Sequence, residues 1–435
     1  MLFALVDCAN FYASCERVFD PSLARKPVVI LSNNDGCIIA RSDEAKALGV
    51  PMGAPYFQWK TRLERWGVVV YSSNYALYAD MSRRVMETLE TFTPDVEPYS
   101  IDEAFLAFPG FPAHPDDALR LRLDAFAEEI YRRVLRWTGV PTRVALAPTK
   151  TLAKVGCEHA KRLVRAGRTP AFCLAGRPDL DRILAATPVG DVWGVGWRLR
   201  PFLERNGVRT SLDLRDSDDA WVRRHLRVTG LRMVHELRGT SCLPMERLPQ
   251  PRHTLVRSRS FGQAVTDPDW LREAVASHVE RAGEKLRAER LAAGALTVFV
   301  TTKGHGPGPH LHAAHGVPLI PATNRTPSLL RAARDAFERC YRAASADGRP
   351  YRYKKAGVIC AELAPARPAQ GHLFVPDEPG MDALLEAVDR LNARMGTRAV
   401  FFARAGTTQP WQMQCDRRSA PFTTSWRGLP TARAD

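Results

Sequence analysis

Three acidic side chains lie in two apolar segments that are far apart in the chain. Asp7 ends the apolar run 2–6, and Asp102 and Glu103 interrupt the apolar run 98–105. Burying a carboxylate in such a segment is costly unless it is paired or bound to a cation. If the two segments form neighbouring strands, the carboxylates converge on a site that suits two hard cations such as Mg²⁺ in phosphoryl transfer. The alternative is two unrelated surface positions near strand ends.

Composition limits the classes of partner that the chain can have. The chain has 435 residues, of which 45% are hydrophobic, so two to four globular domains are expected. A net charge of +15, from 62 Lys and Arg against 47 Asp and Glu, accompanies a pI of about 9.7. This balance favours a polyanionic partner, with nucleic acid first and an anionic membrane surface second.

The sequence also indicates a compartment. No apolar run approaches the roughly 20 residues of a membrane span, and residues 1–7 lack the basic start of a signal peptide. The nine cysteines are spread singly without a C-x-x-C pair, which argues against zinc and against a disulfide framework. We therefore predict a cytoplasmic protein that does not enter the membrane.

Hydrophobic periodicity predicts an α+β protein with several domains. Within the mixed α/β region 1–165, strands are predicted at 2–6, 27–31, 68–71, 96–108 and 142–147, with helices at about 43–48, 75–92, 116–137 and 150–165. Residues 170–240 read as all-helical. A β-α-β-β-α-β order follows, with a strand at 253–261, a helix at 268–290, strands at 295–302 and 310–319, a helix at 326–345 and a strand at 353–363. Residues 364–435 predict a partly ordered tail that binds partners.

Two segments are candidates for contact with a nucleic-acid backbone. Gly194 and Gly196 form a Gly-x-Gly hairpin between short helices, whose backbone N–H groups can face a phosphate. Arg257 and Arg259 are two residues apart on a predicted strand and so share one face, which suits phosphates. The alternatives are an ordinary turn between helices and a solvated strand face.

A histidine-rich segment is a weaker candidate for a metal site. His305, His310, His312 and His315 lie among glycines and prolines, and no cysteine or acid accompanies them. We favour a loop that runs into a strand.

Longer motifs surround these residues and resemble a known family. The motifs are Asp7-x-x-x-Phe11-Tyr12-Ala13-Ser14-x-Glu16, Tyr99-Ser100-Ile101-Asp102-Glu103-Ala104-Phe105, Pro148-Thr149-Lys150-Thr151-Leu152-Ala153-Lys154 and Arg259-Ser260-Phe261-Gly262. They resemble the Y-family translesion DNA polymerases, and within that family the bacterial UmuC-type catalytic subunits of DNA polymerase V. The resemblance covers nearly the whole chain and is weakest at 304–325 and 363–400.

The resemblance implies a fold and an activity. The fold would be a right-hand polymerase, with palm and fingers in 1–168 (fingers about 11–78), a thumb with a helix-hairpin-helix in 169–245, a βαββαβ little finger in 253–363 and a partner-binding tail in 364–435. The activity would be error-prone, DNA-directed DNA synthesis past damage, in SOS-type repair and mutagenesis. Primer-template DNA and deoxynucleoside triphosphates would be the substrates.

The resemblance also implies the metal ligands. Asp7, Asp102, Glu103 and the main-chain carbonyl of Cys8 would hold two Mg²⁺ ions. Adjacent residues on a regular strand face opposite ways, so the chain must be bent or bulged at Asp102 and Glu103 if both reach the metals.

Three further side chains match the nucleotide-binding positions of that family. Lys46 and Lys161 would bind the triphosphate, although an ammonium at position 46 grips phosphate less rigidly than a guanidinium does. Tyr12 would exclude a 2′-hydroxyl by its bulk, while Phe11 beside it would be core. Asp43 is given no role. Each lysine alone could be a plain surface charge.

The tail carries a short motif for recruitment. Gln370, Leu373 and Phe374 resemble the peptide that binds the bacterial sliding clamp, and the alternative is that the two apolar residues pack on the neighbouring domain. The resemblance also implies a UmuD′-type dimer, a RecA filament and a place at the bacterial nucleoid.

Other classes of function remain open at this point. One is a catalytically silent DNA-binding scaffold that recruits the clamp and repair partners, although the three carboxylates and Tyr12 argue against it. Another is a different two-metal palm enzyme, such as a cyclase or a nuclease.

Overall fold

The computed structural model describes residues 1–246, 251–302, 304, 308–366 and 380–429. These residues form two compact units. Residues 1–32, 36–246 and 417–429 belong to the first unit, and the second contains residues 33–35 and the described residues from 251 to 416.

Two sheets form the frame of the first unit. Its strands are β1 (Leu2–Cys8), β2 (Val28–Leu31), β3 (Ile38–Arg41), β4 (Val69–Ser72), β5 (Val96–Pro98), β6 (Glu103–Phe108), β7 (Thr142–Ala147) and β8 (Ala171–Cys173). The five-stranded sheet has the order β5-β6-β1-β7-β8, and the three-stranded sheet has the order β3-β2-β4. Strand β1 pairs antiparallel with both β6 and β7, so it is central and carries an almost continuous apolar run.

Helices cover both faces of the larger sheet. The helices of the first unit are α1 (Phe11–Phe19), α2 (Asp43–Ala47), α3 (Tyr56–Arg65), α4 (Tyr75–Glu90), α5 (Asp117–Thr138), α6 (Lys150–Arg165), α7 (Leu180–Ala186), α8 (Leu199–Arg205), α9 (Ser211–Arg215) and α10 (Asp219–Leu237). Ala4 and Val6 of β1 join a core with α1, α4 and α5, whereas Leu5 joins a second core with α6. The alternation of side chains along a strand therefore builds two cores from one segment.

Most of the predicted elements of this unit are confirmed within a few residues. The predicted strand at 96–108 is wrong in one respect, because a turn over residues 99–102 divides it into β5 and β6. Helices α1 and α3 and strand β3 are not among the predicted elements. The prediction that residues 170–240 are all-helical is wrong at β8, which pairs with β7 at the side of the larger sheet.

The second unit is a four-stranded sheet with helices on one face. Its elements are β9 (Thr254–Val265), α11 (Pro268–Ala288), β10 (Leu291–Thr302), β11 (His312–Thr323), α12 (Thr326–Cys340), β12 (Tyr353–Pro365) and α13 (Met381–Met395). The sheet order is β11-β10-β12-β9, and every pairing is antiparallel. The predicted β-α-β-β-α-β order is confirmed.

The stretch that the sequence predicts as a separate tail contributes to both units instead. Helix α13 buries Leu385, and Asp389 on α13 accepts two hydrogen bonds from Arg287 of α11, at 2.6 and 2.8 Å. Asp382 accepts two from Arg325, at 2.7 and 2.9 Å. Because these guanidinium–carboxylate pairs are bidentate, they fix α13 against α11 and the start of α12. Residues 417–429 pack in the first unit.

In the parts of the chain that the structure describes, no helix combines the length and the apolar character that a membrane crossing requires.

Candidate active site

The sheet of the first unit brings the carboxylates of two remote motifs together. Asp7 on β1 and Glu103 on β6 are directly paired across the antiparallel ladder. The N–H of Cys8 donates to the main-chain oxygen of Asp102 at 2.8 Å, which places Asp102 beside the end of β1. The three carboxylates therefore lie at one edge of the sheet.

A turn interrupts the regular strand at the two adjacent carboxylates, Asp102 and Glu103. Strand β6 begins at Glu103, and Asp102 lies just before it in the turn that follows β5. The N–H groups of Tyr99 and Ser100 both donate to the Glu103 carbonyl, at 3.0 and 3.1 Å. The Ser100 hydroxyl donates to the Asp102 carboxylate at 2.5 Å. A break in the regular strand is what two neighbouring metal ligands at 102 and 103 would need, and the structure has a turn at this point.

Arg143 is a member of the site that the sequence analysis does not single out. It pairs with Asp7 across β1 and β7, and its Nη1 donates to Asp7 Oδ2 at 2.8 Å. Burial raises the pKa of Asp7, while the positive charges of Arg143 and Lys161 oppose that rise. A charged residue in the otherwise apolar run 142–147 is the signal that could have revealed it.

Lys154 forms an ion pair with Glu103, as Arg143 does with Asp7. Its ammonium donates to the Glu103 carboxylate and lies 4.4 Å from the ring centroid of Tyr99 and 5.6 Å from that of Trp193. Trp193 in turn donates to the Tyr99 hydroxyl at 3.1 Å. Burial raises the pKa of Glu103, and Lys154 opposes that rise. The two most buried carboxylates of the site are thus each turned toward a cationic side chain.

The donor set fits divalent cations in its chemistry. Among the residues that the structure describes, no three acidic, histidine or cysteine groups are already gathered in a metal-binding arrangement. The negative charge of Asp102 nevertheless raises the pKa of both Asp7 and Glu103. Oxygen donors with excess negative charge are the ligands that Mg²⁺ prefers.

Tyr12 lies on the first turn of α1, immediately after this site. Helix α1 follows Asn10, whose φ of 50° is a left-handed conformation that asparagine tolerates. The Tyr12 ring stacks on Tyr78 with a centroid distance of 4.3 Å and an angle of 14°, and it meets Tyr75 edge-on. Phe11 is buried in the core, as the sequence predicts.

The two predicted phosphate-binding lysines have local partners. Lys46 donates to the side chain of Asn10 and, at 3.0 Å, to Asp43. Lys161 donates to Glu158 on the same helix, and it is close enough to Asp7 to lower the pKa of that carboxyl. Both side chains are more than a third exposed, so both are accessible to a ligand.

Comparisons with known proteins agree with this geometry. Residues 6–158 match the model of the impB/mucB/samB family, and residues 252–373 match the model of that family's C-terminal domain. A third model, a domain of unknown function (DUF4113), matches residues 382–432. Protein ImpB of Salmonella typhimurium is 41% identical over 99% of this chain and 100% of its own length. Protein UmuC of Salmonella typhimurium strain LT2 is 42% identical over 98% of this chain and 99% of its own length.

The chain belongs to the impB/mucB/samB family. DNA polymerase IV of Caulobacter vibrioides is 27% identical over 92% of this chain and 93% of its own length. A solved Y-family DNA polymerase chimera has the same fold, with a TM-score of 0.60 and 17% identity over 83% of this chain and 99% of that chain. The protein is a DNA-directed DNA polymerase of the translesion class. A catalytically silent scaffold is not favoured, and family membership implies the use of a divalent metal.

The predicted hairpin of this polymerase lies between α7 and α8. Gly194 has a φ of 97°, a left-handed conformation that strains any residue with a Cβ, so the turn favours glycine. The Gly196 carbonyl accepts the first hydrogen bonds of α8, and an added Cβ at Gly196 would meet no atom within 4 Å. Beside them the Trp197 side chain is 79% exposed, and the Arg198 guanidinium lies 4.8 Å from its ring centroid.

Arg257 and Arg259 share one face of β9, as predicted, but that face is the one on which the helices pack. Leu255 and Phe261, at the same alternation, are in the core of the second unit. Arg257 is half-buried, and burial together with the charge of Arg259 lowers its pKa, whereas Arg259 itself is exposed. Arg257 is therefore less accessible to a phosphate than Arg259 is.

Several candidates lie in or beside segments without a description. Gln370, Leu373 and Phe374, like His305, are outside the described residues. Of the remaining histidines, His312 begins β11 and its Nδ1 is 2.8 Å from the Thr301 hydroxyl, and His315 also lies on β11. His310 precedes that strand, as a loop running into a strand requires.

Proposed function

We propose that Asp7, Asp102 and Glu103, with the main-chain carbonyl of Cys8, hold two Mg²⁺ ions for nucleotidyl transfer. The observation that carries this proposal is the cross-strand pair of Asp7 and Glu103, with Asp102 bound through its main chain to the next residue of β1. When bound, the two ions activate the primer 3′-hydroxyl and neutralise charge on the leaving pyrophosphate.

The residues around the carboxylates have a preparatory role in this proposal. Arg143 and Lys154 pair with Asp7 and Glu103 and favour the ionised form of these buried carboxylates. Such pairs orient the donors before the substrates arrive, so that little rearrangement remains for the reaction.

The incoming nucleotide would be held and selected by three side chains. Lys46 and Lys161 supply positive charge for the triphosphate, and their exposure supports this role. Tyr12 would lie under the sugar and reject a 2′-hydroxyl. Its stacking on Tyr78 supports the proposal, because a ring held by two aromatic neighbours moves aside less readily for an extra atom.

DNA would be held through its backbone rather than its bases. The hairpin glycines Gly194 and Gly196 would face phosphate with main-chain N–H groups, and Arg259 would add a mobile charge, with Arg257 contributing less. This mode of contact gives affinity without sequence preference, which a polymerase that copies damaged template requires.

Recruitment would use the segment that contains Gln370, Leu373 and Phe374 as a tether to the sliding clamp. The motif lies at the very end of the matched C-terminal domain, which spans residues 252–373, and this terminal position supports a tether. The full-length similarity to UmuC and MucB supports a UmuD′-type dimer as a further partner. A RecA filament and a place at the nucleoid complete the proposal.

The test is extension of a primer by the Asp102→Asn variant. We expect the rate to fall by about 10²-fold to 10⁴-fold, because lost charge stabilisation at a metal site is worth several kcal/mol. Binding of primer-template, measured by fluorescence anisotropy, should remain near that of the wild type. Glu129→Gln, an exposed carboxylate on α5, is the matched control and should extend normally. Normal extension by Asp102→Asn would contradict the proposal.

A further inference from the structure

A carboxylate outside the proposed catalytic machinery connects the C-terminal segment to Tyr12. Glu16 is 1% exposed and lies one helical turn after Tyr12 on α1. Burial raises the pKa of Glu16, and the hydroxyls of Tyr78 and Ser419 donate to the same oxygen, at 2.7 and 3.1 Å. A buried carboxylate of this kind is stable only while its donors stay in place.

Ser419 bridges the two helices that carry the stacked rings. Its hydroxyl donates to Glu16 of α1 and accepts from the Asn74 side chain at 2.9 Å. Asn74 precedes α4 and caps it by accepting from the N–H of Leu77. One hydroxyl therefore connects α1, which carries Tyr12, with α4, which carries Tyr78.

Residues 417–424, which we call the docked segment, contact the first unit on both sides of Ser419. Upstream, the N–H of Ser72 donates to the Arg417 carbonyl at 3.1 Å, and the Ser72 hydroxyl accepts from the N–H of Arg417 at 3.0 Å. Downstream, Phe422 stacks on Phe19 of α1 with a centroid distance of 4.9 Å and an angle of 5°. Ser72 is fully buried, so undocking would leave its polar groups to find other partners.

The stacked geometry of Tyr12 depends on these contacts. Tyr78 is fully buried, and its hydroxyl is oriented by Glu16. Since the Tyr12 ring lies flat on Tyr78, a shift of Tyr78 or of α1 moves the ring that would meet the sugar. A ring with more freedom rejects an extra hydroxyl less strongly.

We propose that the docked segment sets the position of Tyr12 and thereby the discrimination between deoxyribonucleotides and ribonucleotides, with Ser419 as the positioning residue. The proposal rests on the proposed role of Tyr12 as the sugar-selecting side chain. The docked segment lies within residues 382–432, which match a domain of unknown function. The proposal assigns this part of the match a task in the first unit.

The test is the ratio of ribonucleotide to deoxyribonucleotide insertion by the full-length chain on one primer-template. Ser419→Ala should raise this ratio by about twofold to tenfold, the range that corresponds to the loss of one hydrogen bond. Ser419→Thr keeps the hydroxyl and should stay near the wild type. Ser425→Ala, which removes an exposed hydroxyl in the same C-terminal stretch, should leave the ratio unchanged. Because both substrates meet the same folded molecules, a loss of folded protein cancels in the ratio.

The variant Tyr12→Ala distinguishes the role of Tyr12 in sugar selection from the role of the docked segment in positioning Tyr12. If Tyr12→Ala raises the ratio and Ser419→Ala does not, the inference about the docked segment is overturned and the role of Tyr12 stands. An equal effect of Ser419→Ala in the Tyr12→Ala background would also overturn the inference, since the segment would not act through Tyr12. If Tyr12→Ala leaves the ratio unchanged, both fail. Should Ser419→Ala not fold, Phe422→Leu loosens the same segment, and an unchanged ratio for that variant overturns the inference.

Discussion

The buried ion pair at the start of α6 allows a quantitative prediction. Lys150 Nζ lies 2.6 Å from Glu97 Oε2, and the two side chains are 3% and 10% exposed. Lys150 also donates to the Pro244 carbonyl at 2.8 Å, and Glu97 accepts from the N–H of Glu246 at 2.6 Å. The pair therefore joins α6, which carries Lys154, to β5 and to the segment after α10.

Lys150→Met keeps the length of the side chain and removes its charge. The variant leaves the Glu97 carboxylate buried without its ammonium partner, which costs about 3–5 kcal/mol. At about 2–4 °C per kcal/mol for a unit of this size, the melting temperature should fall by about 6–20 °C. Single-nucleotide insertion should fall as well, because α6 positions Lys154 against Glu103.

Two controls make the thermal measurement specific. Arg132→Met breaks an exposed pair with Glu128 on α5 and should cost less than about 1 kcal/mol. The double variant Lys150→Met with Glu97→Gln removes both charges, so it should be more stable than Lys150→Met alone. A loss below about 1 kcal/mol for Lys150→Met, or additive losses in the double variant, would refute the reasoning.

Other predictions concern substrate contacts. Lys46→Met should raise KM for the incoming nucleotide more than it lowers kcat, and an unchanged KM in steady-state insertion would exclude phosphate binding. Arg259→Ala should reduce the salt slope of DNA affinity by about 1, whereas Arg257→Ala should mainly lower the melting temperature. Identical salt slopes for the wild type and Arg259→Ala would contradict this division. Replacing Leu373 and Phe374 with Ala should abolish clamp-stimulated synthesis and spare clamp-free insertion, and an equal loss of both would indicate that the pair is structural.

Much of the fold was predictable because it depends on local pattern. Long helices such as α5 and α11 repeat their apolar residues with the helical period, and the run 2–6 is apolar because β1 is covered on both faces. The β-α-β-β-α-β order of the second unit could be predicted for the same reason. Some short elements could not be predicted. Helix α1, for example, has nine residues, and its sequence alone does not distinguish a helix from a buried strand.

The rest of the site depends on pairing between distant segments. The three carboxylates could be named, but Asp7 meets Arg143 only because β1 and β7 are neighbours. Lys154 could have been suspected, since Lys150, Lys154 and Lys161 are spaced by four and seven residues and share one helix face. No sequence period, however, indicates which carboxylate such a face meets.

Two features of the structure could not be predicted from local sequence pattern. The alternation along β9 correctly placed Arg257 and Arg259 on one face, but it did not reveal that this face is covered by helices, although the core positions of Leu255 and Phe261 follow the same alternation. The pairing of Ser72 with the segment after residue 416 joins parts of the chain that no local pattern connects.

The central claim is that three carboxylates hold two divalent ions, and manganese binding tests it most directly. Mn²⁺ would replace Mg²⁺ in a complex of the full chain with primer-template and a non-hydrolysable deoxynucleotide, and bound ions would be counted by electron paramagnetic resonance. We predict two bound ions for the wild type and for Glu129→Gln, with weaker binding of at least one ion in Asp7→Asn, Asp102→Asn and Glu103→Gln. Two ions bound with wild-type affinity in all three variants would contradict the account.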